Sequence, residues 1–184
     1  MSAMITHELK AKITDIFMQQ ASVKNFFMFE QIPADKLQNA RNSFAPSIAA
    51  DEAIIFLYDD TVFGSANDGF LLTTKHLFHK NIAEPRGGVA LAQVGSITVK
   101  HGFLSTTITV HAGINELKLT VTQAENRRQK DALFQVLNHT VELLKNTRAH
   151  TTDANRPARS GNCQNCGAVC TDHSHRCEYC DSLL

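Results

Sequence analysis

The alternation of apolar and polar residues divides the chain into a helical start, a strand-rich middle and a final helix. From Ile5 to Phe17, apolar residues recur at the spacing of one helix face, which predicts a helix packed on the protein's own core. A membrane-surface or partner-binding helix is the alternative. The segment 32–44, with Pro33 near its start and Pro46 beyond its end, predicts a second, shorter helix.

The residue pattern in the middle of the chain is typical of an antiparallel sheet. It offers about seven segments of strand length, at residues 53–58, 69–74, 76–80, 88–94, 96–100, 104–110 and 116–121. The first is continuously apolar, whereas the last three alternate apolar and polar residues. Period-2 alternation predicts strands with one face on the core and the other in solvent.

A well-marked amphipathic helix follows the strands. Thr122 and Glu125 match the T-x-x-E capping box, which predicts the start of a helix that continues to about Asn146. Arg127 and Arg128 fall on its polar side, where we expect them in solvent. Its predicted core-facing stripe consists of Leu133, Val136, Leu137, Val141 and Leu144.

This order of elements resembles the pleckstrin-homology-like (PH-like) superfold, a bent antiparallel barrel plugged at one end by a C-terminal helix. The segment from Ile54 to Asn81 is also similar to the opening hairpins of bacterial PH-like and GRAM-type domains. The matching run is Gly64, Ala66, Asp68, Gly69, Thr73, Leu77 and Asn81. The resemblance implies an α+β, mainly β fold, with a PH-like barrel of about seven strands and a capping helix.

All five cysteines lie near the end of the chain. Cys163 and Cys166 form one C-x2-C pair, and Cys177 and Cys180 form a second pair after ten intervening residues. Each pair can place two thiolates on one side of a tight turn, and two such turns close a tetrahedron around zinc. The segment resembles a short zinc ribbon, so we expect one zinc ion held by these four cysteines.

The segment holds more candidate ligands than a tetrahedral zinc ion needs. Cys170 lies four residues past the first pair, where the chain is leaving the metal, and His173 and His175 lie between the pairs. Four thiolates leave no open position for water, so we expect a structural zinc rather than a catalytic one. An iron–sulfur cluster is the alternative, but the chain has no C-x2-C-x2-C run.

These features predict four regions along the chain. They are an N-terminal helical segment, a PH-like barrel with its capping helix, a flexible linker and a zinc ribbon, at residues 1–50, 51–146, 147–161 and 162–184. The linker prediction comes from a polar composition nearly free of large apolar residues.

The charge balance bears on the kind of partner. Lys and Arg together number 18, as do Asp and Glu, so the formal net charge is zero. Nucleic-acid binders usually carry a basic excess that neutralises phosphates, so we do not expect a nucleic-acid partner. The basic residues near the cysteines are Arg156, Arg159 and Arg176. A basic rim for an anionic membrane surface would consist of Lys75, Lys80, Arg86 and Lys100.

We expect no catalytic residues. Asp59 and Asp60 end an apolar strand and Asp68 belongs to an N-D-G turn, so a turn explains these carboxylates better than paired-carboxylate catalysis. His76 and His79 flank a strand without a nucleophile pattern, and we expect both in solvent. The chain has no Walker or dinucleotide-binding glycine loop, and no small-molecule substrate is evident.

The expected function is a non-enzymatic adaptor or scaffold that engages protein partners through the barrel and the zinc ribbon. Its N-terminus has no unbroken apolar run, and clustered Cys pairs bind metal more often than they form disulfides in reducing cytosol. We therefore expect a cytoplasmic protein. The alternative is a phospholipid-headgroup-binding protein peripheral to the inner face of the membrane, ahead of a nucleic-acid-binding ribbon.

The surplus of ligands makes the zinc assignment testable. The purified protein should hold about one zinc per chain. Cys170→Ser should keep the full zinc content, whereas Cys177→Ser should lose most of it, because three thiolates and a water form a weaker, open site. Elemental analysis measures both. Zinc lost from Cys170→Ser but kept in Cys177→Ser would mean that the ligand set is wrong.

Overall fold

The computed structural model describes residues 5–20, 22–154, 161–162, 165, 169–170 and 180. The chain separates into two compact units, Met1–Asn146 and Thr147–Leu184. Three α-helices are present in the described part: α1 (His7–Met18), α2 (Ala34–Ser43) and α3 (Arg127–Ala154). None of the described helices combines the length and apolarity that a membrane crossing requires.

Two antiparallel sheets dominate the first unit. The larger has the strand order β1-β2-β3-β4-β5 and the smaller has the order β6-β7-β8. The strands are β1 (Phe26–Met28), β2 (Ile54–Asp59), β3 (Gly69–Thr73), β4 (His76–Lys80), β5 (Gly87–Ala90), β6 (Val94–His101), β7 (Thr106–Ala112) and β8 (Asn115–Val121). The predicted α+β, mainly β class with a helix after the strands is confirmed.

The larger sheet is covered on both faces. Along β2, Phe56 and Tyr58 face the main core, whereas Leu57 faces a second apolar cluster built with α2. Successive side chains of a strand point to opposite faces, so a strand buried on both sides needs a continuous apolar run. The second cluster includes Ala40 and Phe44 from α2 and its C-terminal end. The N-terminal region therefore packs against the strands as part of the same unit.

The smaller sheet shows the predicted alternation. Thr106, Ile108 and Val110 of β7 are buried, and the residues between them are half-buried. The stripe of α3 packs into the same core, and all five of its predicted residues, Leu133, Val136, Leu137, Val141 and Leu144, are buried. The helix stripe is confirmed, and so is the alternation from Thr106 onward, because one-sided burial imposes a readable period on the sequence. The predicted strand 104–110 began too early, since Leu104 precedes β7 and is 81% exposed.

Some element boundaries differ from the predicted ones. Segment 88–94 is not one strand, because a single 3₁₀ turn at Leu91–Gln93 separates β5 from β6. The apolar segment at Phe26–Met28 forms an additional strand, β1, paired with β2. Helix α3 reaches Ala154 rather than Asn146, so the first part of the predicted linker is helical. Residues 155–160 of that linker lie outside the described residues.

The predicted capping box at Thr122 and Glu125 is wrong. The side chain of Asn126 caps α3 instead, because its Oδ1 accepts a hydrogen bond from the Gln129 amide at 3.0 Å. The Gln129 side chain reaches back to accept from the Glu125 amide at 2.9 Å. The cap thus begins four residues later than predicted, because Thr122 bonds elsewhere.

Asn81, directly after β4, connects the two sheets. Its side-chain amide donates to the Lys118 carbonyl at 2.9 Å and its oxygen accepts from the Thr120 amide at 2.9 Å. Both partners belong to β8. The Asn81 side chain therefore bonds to the β8 backbone as a neighbouring strand would, at the junction between the two sheets. A polar residue that is nearly fully buried requires such partners.

The helix stripe gives a direct test of the packing. Leu137→Asp should lower the free energy of unfolding by roughly 3–5 kcal/mol, because it buries an unpaired carboxylate in the core. Arg128→Ala, on the exposed side of the same helix, should change it by less than about 0.5 kcal/mol. Chemical denaturation measures both. Equal values for the two variants would contradict the assigned helix face.

Candidate functional site

Only one of the four predicted zinc ligands falls on described residues. Cys180 lies in a turn and is half-buried. Cys163, Cys166 and Cys177 lie outside the described residues, as do His173, His175 and the predicted nucleic-acid contacts Arg156, Arg159 and Arg176. Within the described part of the chain, no group of three or more His, Cys, Asp or Glu side chains is arranged to hold a metal ion.

The described part of the cysteine region contains a small hairpin. Strands β9 (Gly161–Asn162) and β10 (Val169–Cys170) pair in antiparallel fashion, with Cys170 opposite Gly161. Asn165 is the described residue between these two strands. The side-chain Nδ2 atom of Asn165 donates to the Sγ atom of Cys180 at 3.7 Å. This contact brings the segment of the first cysteine pair to a cysteine of the second pair.

In the first unit, the most elaborate polar structure surrounds the loop between β2 and β3, residues 60–68. Asp59, the last residue of β2, directly precedes this loop and has a fully buried carboxylate. This carboxylate accepts hydrogen bonds from the Thr61 amide at 2.9 Å and the Thr61 hydroxyl at 2.5 Å, and pairs with Lys36 at 2.6 Å. The turn interpretation of Asp59 is consistent with these contacts, since all of them hold loop backbone or α2.

Helix α2 braces the loop from one side. Lys36 donates to the Gly64 carbonyl as well as to Asp59, and Asn39 donates to the Ser65 carbonyl at 2.9 Å. Ser43 donates to the Asn67 carbonyl at 2.7 Å. Inside the loop, the Thr61 hydroxyl accepts from the Ser65 amide at 2.7 Å. Hydrogen bonds therefore hold the loop in place at several points along its length.

Two glycines of the run that resembles PH-like and GRAM-type domains, Gly64 and Gly69, allow the backbone conformation of this loop. Gly64 has φ +70° and Gly69 has φ +134°, a region that side chains with a Cβ rarely adopt. A Cβ on Gly69 would lie 2.1 Å from the Tyr58 carbonyl oxygen, so the backbones of β2 and β3 approach too closely for any side chain. Ala66 also has positive φ and is completely buried under the loop. The run thus has a structural role at these positions.

Asp60 faces the opposite side of the sheet from Asp59. Its carboxylate accepts from the Thr122 amide at 2.8 Å, the Thr122 hydroxyl at 2.9 Å and the Gln123 amide at 2.9 Å. The Tyr58 hydroxyl donates to it at 3.1 Å. Burial raises the pKa of the Asp60 carboxyl, and burial together with the nearby Asp60 charge raises the pKa of Tyr58. The hydrogen bonds of the Asp60 carboxylate therefore hold the junction between β8 and α3.

The braced loop nevertheless exposes two large apolar side chains. Phe63 is 97% exposed and Val62 is 67% exposed. The neighbouring charges are mutually compensated, since Lys36 pairs with Asp59 and the Nζ atom of Lys80 lies 3.0 Å from Asp68. Sequence analysis assigned Val62 and Phe63 no role. The available signal was a pair of large apolar residues inside a segment otherwise rich in turn-forming residues.

The expectation that His79 lies in solvent is wrong. Its residue exposure is only 7%, and its Nδ1 atom has no hydrogen-bond partner among the described residues. A Cβ on Gly87, in the paired strand β5, would lie 2.6 Å from the His79 Nε2 atom, so the glycine leaves room for the ring. Burial lowers the pKa of His79. His76 is half-buried and its Nδ1 atom lies 2.9 Å from Glu52.

Glu52 is a buried carboxylate that sequence analysis did not identify. It accepts a hydrogen bond from the Thr73 hydroxyl at 2.5 Å, besides its contact with His76. Burial alone would raise its pKa, but hydrogen bonds from Thr73, His76 and the Ala49 amide lower it overall. A lone glutamate before an apolar run carries no pattern that distinguishes it from a surface residue.

The residues of the predicted basic rim are dispersed. Lys75 pairs with Asp51 and Lys80 pairs with Asp68, whereas Arg86 lies in the connection between β4 and β5. Lys100 is exposed on β6, in the other sheet. Two of the four charges are therefore offset by ion pairs on the larger sheet.

Comparison of the chain with protein-family models, curated proteins and solved structures finds no match.

The buried histidine predicts a pH dependence of stability. The pKa of His79 is lowered from its ordinary value of 6.5 in the folded state, so the unfolded chain binds the proton more tightly. Its contribution to stability is present above pH 6.5 and is lost as the pH falls through the lowered pKa. His79→Gln should therefore show a shallower loss of melting temperature between neutral and mildly acidic pH. Identical slopes in the two proteins would contradict this assignment.

Proposed function

We propose that this chain is a non-enzymatic cytoplasmic adaptor, which engages a protein partner through the β2–β3 loop of a PH-like domain and carries a structural zinc ribbon. The observation that carries the proposal is Phe63, a nearly fully exposed aromatic side chain on a loop that is otherwise hydrogen-bonded throughout. A soluble domain gains nothing in its own stability from such a residue, whereas a partner can bury it.

The element order supports the PH-like fold. Strands β2–β5 and β6–β8 provide four and three antiparallel strands, and α3 follows them and packs on the core. In this interpretation, α1, β1 and α2 are additions to the fold. One of them, α2, braces the proposed binding loop, so the addition has a functional consequence.

The rigidity of the loop favours binding. Ordering a loop at an interface consumes part of the interaction free energy, and a loop already fixed by α2 avoids most of that loss. Exposed aromatic residues are also the side chains that most often dominate protein–protein affinity. Because the charges of Lys36 and Lys80 are compensated, the surface around Phe63 is close to neutral. A neutral apolar protrusion matches a hydrophobic pocket on a protein.

The zinc ribbon is proposed from the cysteine spacing and supported by the hairpin. The pairing of β9 with β10 and the contact between the Asn165 side chain and Cys180 are compatible with two zinc-binding turns around one ion. An amide N–H donated to a ligating sulfur is a common outer-shell contact of metal sites. Cys163, Cys166, Cys177 and Cys180 would hold the ion, and Cys170 would be spare because it belongs to strand β10.

Two binding units on one chain suit an adaptor. Even weak individual contacts produce strong overall binding when both can be engaged at once. The buried carboxylates of the first unit support a non-enzymatic function, because Glu52, Asp59 and Asp60 are each occupied by hydrogen bonds that hold the fold.

The test compares partner capture by matched variants of the full-length, zinc-loaded protein. Phe63→Ala should lose the specific partner while keeping the wild-type melting temperature, because the side chain contributes almost nothing to the folded core. Ile114→Ala, in the β7–β8 turn, is the control, since Ile114 is also fully exposed. Affinity purification followed by quantitative mass spectrometry identifies proteins lost from one variant only. Partner sets unchanged by Phe63→Ala would reject the loop as the binding site.

A further inference from the structure

A second apolar protrusion lies at the β6–β7 hairpin tip. The hairpin closes with a hydrogen bond from the Gly102 amide to the Ser105 carbonyl at 2.8 Å. The two residues between them, Phe103 and Leu104, are 101% and 81% exposed. Both side chains therefore project from the surface and make almost no contact with the core.

The start of α3 lies directly against this tip. The Lys130 Nζ atom donates to the Leu104 carbonyl at 3.3 Å, and His101, at the end of β6, lies 2.8 Å from Asp131. Arg127 approaches the same Asp131 at 3.9 Å with a side chain that is largely exposed. The helix start and the hairpin tip thus form one continuous surface.

This surface is basic. Its exposed or half-exposed cationic residues are Arg127, Arg128 and Lys130. Asp131 contacts both His101 and Arg127, and Glu125 lies 3.4 Å from Lys24. Together with Lys24, four cationic residues therefore face two acidic ones. We call Phe103, Leu104, Arg127, Arg128 and Lys130 the basic face.

A further apolar side chain borders the basic face. A cavity of about 540 Å³ is lined by Gln19 and Gln20, just after α1, and by Arg127 and Arg128 of α3. Met18, the last residue of α1, is 73% exposed. The basic start of α3 therefore lies between the end of α1 and the hairpin tip, each of which presents apolar surface.

We propose that the basic face docks on an anionic lipid surface, with Phe103 and Leu104 inserted at the level of the headgroups. Apolar side chains flanked by Lys and Arg are the combination that binds the membrane interface, because apolar burial and attraction to anionic lipid add together. The positive charge beside the tip favours anionic lipid, and a bilayer interface accepts a protruding apolar side chain. Phe63 differs in its surroundings, because the charges beside it are compensated.

The chain contains no tryptophan, which gives a direct probe of insertion. Phe103→Trp introduces a single indole at the tip, and Ile114→Trp introduces one at the fully exposed β7–β8 turn beside Glu116. With phosphatidylcholine vesicles containing about 30% phosphatidylserine, the emission of Phe103→Trp should shift to shorter wavelength, as the indole enters the interface. The emission of Ile114→Trp should not change. A Phe103→Trp spectrum unaffected by these vesicles would overturn the proposal.

Sedimentation of the full-length protein with vesicles tests the charges. Binding should require phosphatidylserine and should weaken at high salt. Phe103→Ser combined with Leu104→Ser should reduce binding about tenfold or more, as should Arg127→Glu combined with Lys130→Glu. Phe63→Ser should leave vesicle binding unchanged. Equal binding to neutral vesicles would contradict the proposal. Salt-sensitive binding to poly-glutamate without vesicle binding would assign the basic face to an acidic protein and overturn it as well.

Discussion

The structure of the first unit depends on the buried carboxylate of Asp60. Four donors converge on it: the Thr122 amide and hydroxyl, the Gln123 amide and the Tyr58 hydroxyl. A buried carboxylate without such partners costs several kcal/mol, so the chain that supplies the donors is held in place. That chain is the connection from β8 to α3. Asp60 thereby determines where the helix leaves the sheet and which of its faces meets the core.

The neighbouring Asp59, the last residue of β2, acts on the other face of the sheet. Consecutive residues of an extended chain point in opposite directions, so Asp60, directly after β2, reaches the α3 side and Asp59 reaches the α2 side. Two adjacent carboxylates thus attach both helical layers to the end of β2. Asp59 also shapes the proposed binding loop, since it holds Thr61 at the start of the loop and Lys36 beneath it. The stability of the core and the shape of the loop share one pair of residues.

The sequence predicted those features whose signal is local and periodic. The stripe of α3 and the alternation of β7 follow from one-sided burial, which repeats every turn or every second residue. The two errors have a common physical cause. Thr122 does not cap α3 because its hydroxyl is bonded to Asp60, 62 residues earlier. His79 is buried because Gly87, on the paired strand, leaves room for its ring. Neither contact leaves a trace in the sequence around the residue concerned.

The candidate sites were predictable to different degrees for a related reason. Cysteine spacing carries the zinc proposal, because ligands must occur in fixed pairs to close a tetrahedron. The exposure of an apolar side chain leaves no comparable pattern in the sequence. Phe63 and Phe103 are apolar residues in turns, and a sequence alone does not show whether a turn folds its apolar residues inward or outward. The structure shows that both side chains point outward, since Phe63 is 97% exposed and Phe103 is 101% exposed.

The zero net charge of the chain does not conflict with a basic surface. Screening limits electrostatic influence to about 8 Å at physiological ionic strength, so a partner responds to the charges it faces and not to their sum over the molecule. On this chain, Lys36 and Lys80 are each matched by a carboxylate near Phe63, whereas Arg127, Arg128 and Lys130 outnumber Asp131 near Phe103. The two apolar protrusions therefore differ in the surface that each can meet. The two proposals are therefore compatible, since the first surface would engage a protein while the second would dock on anionic lipid.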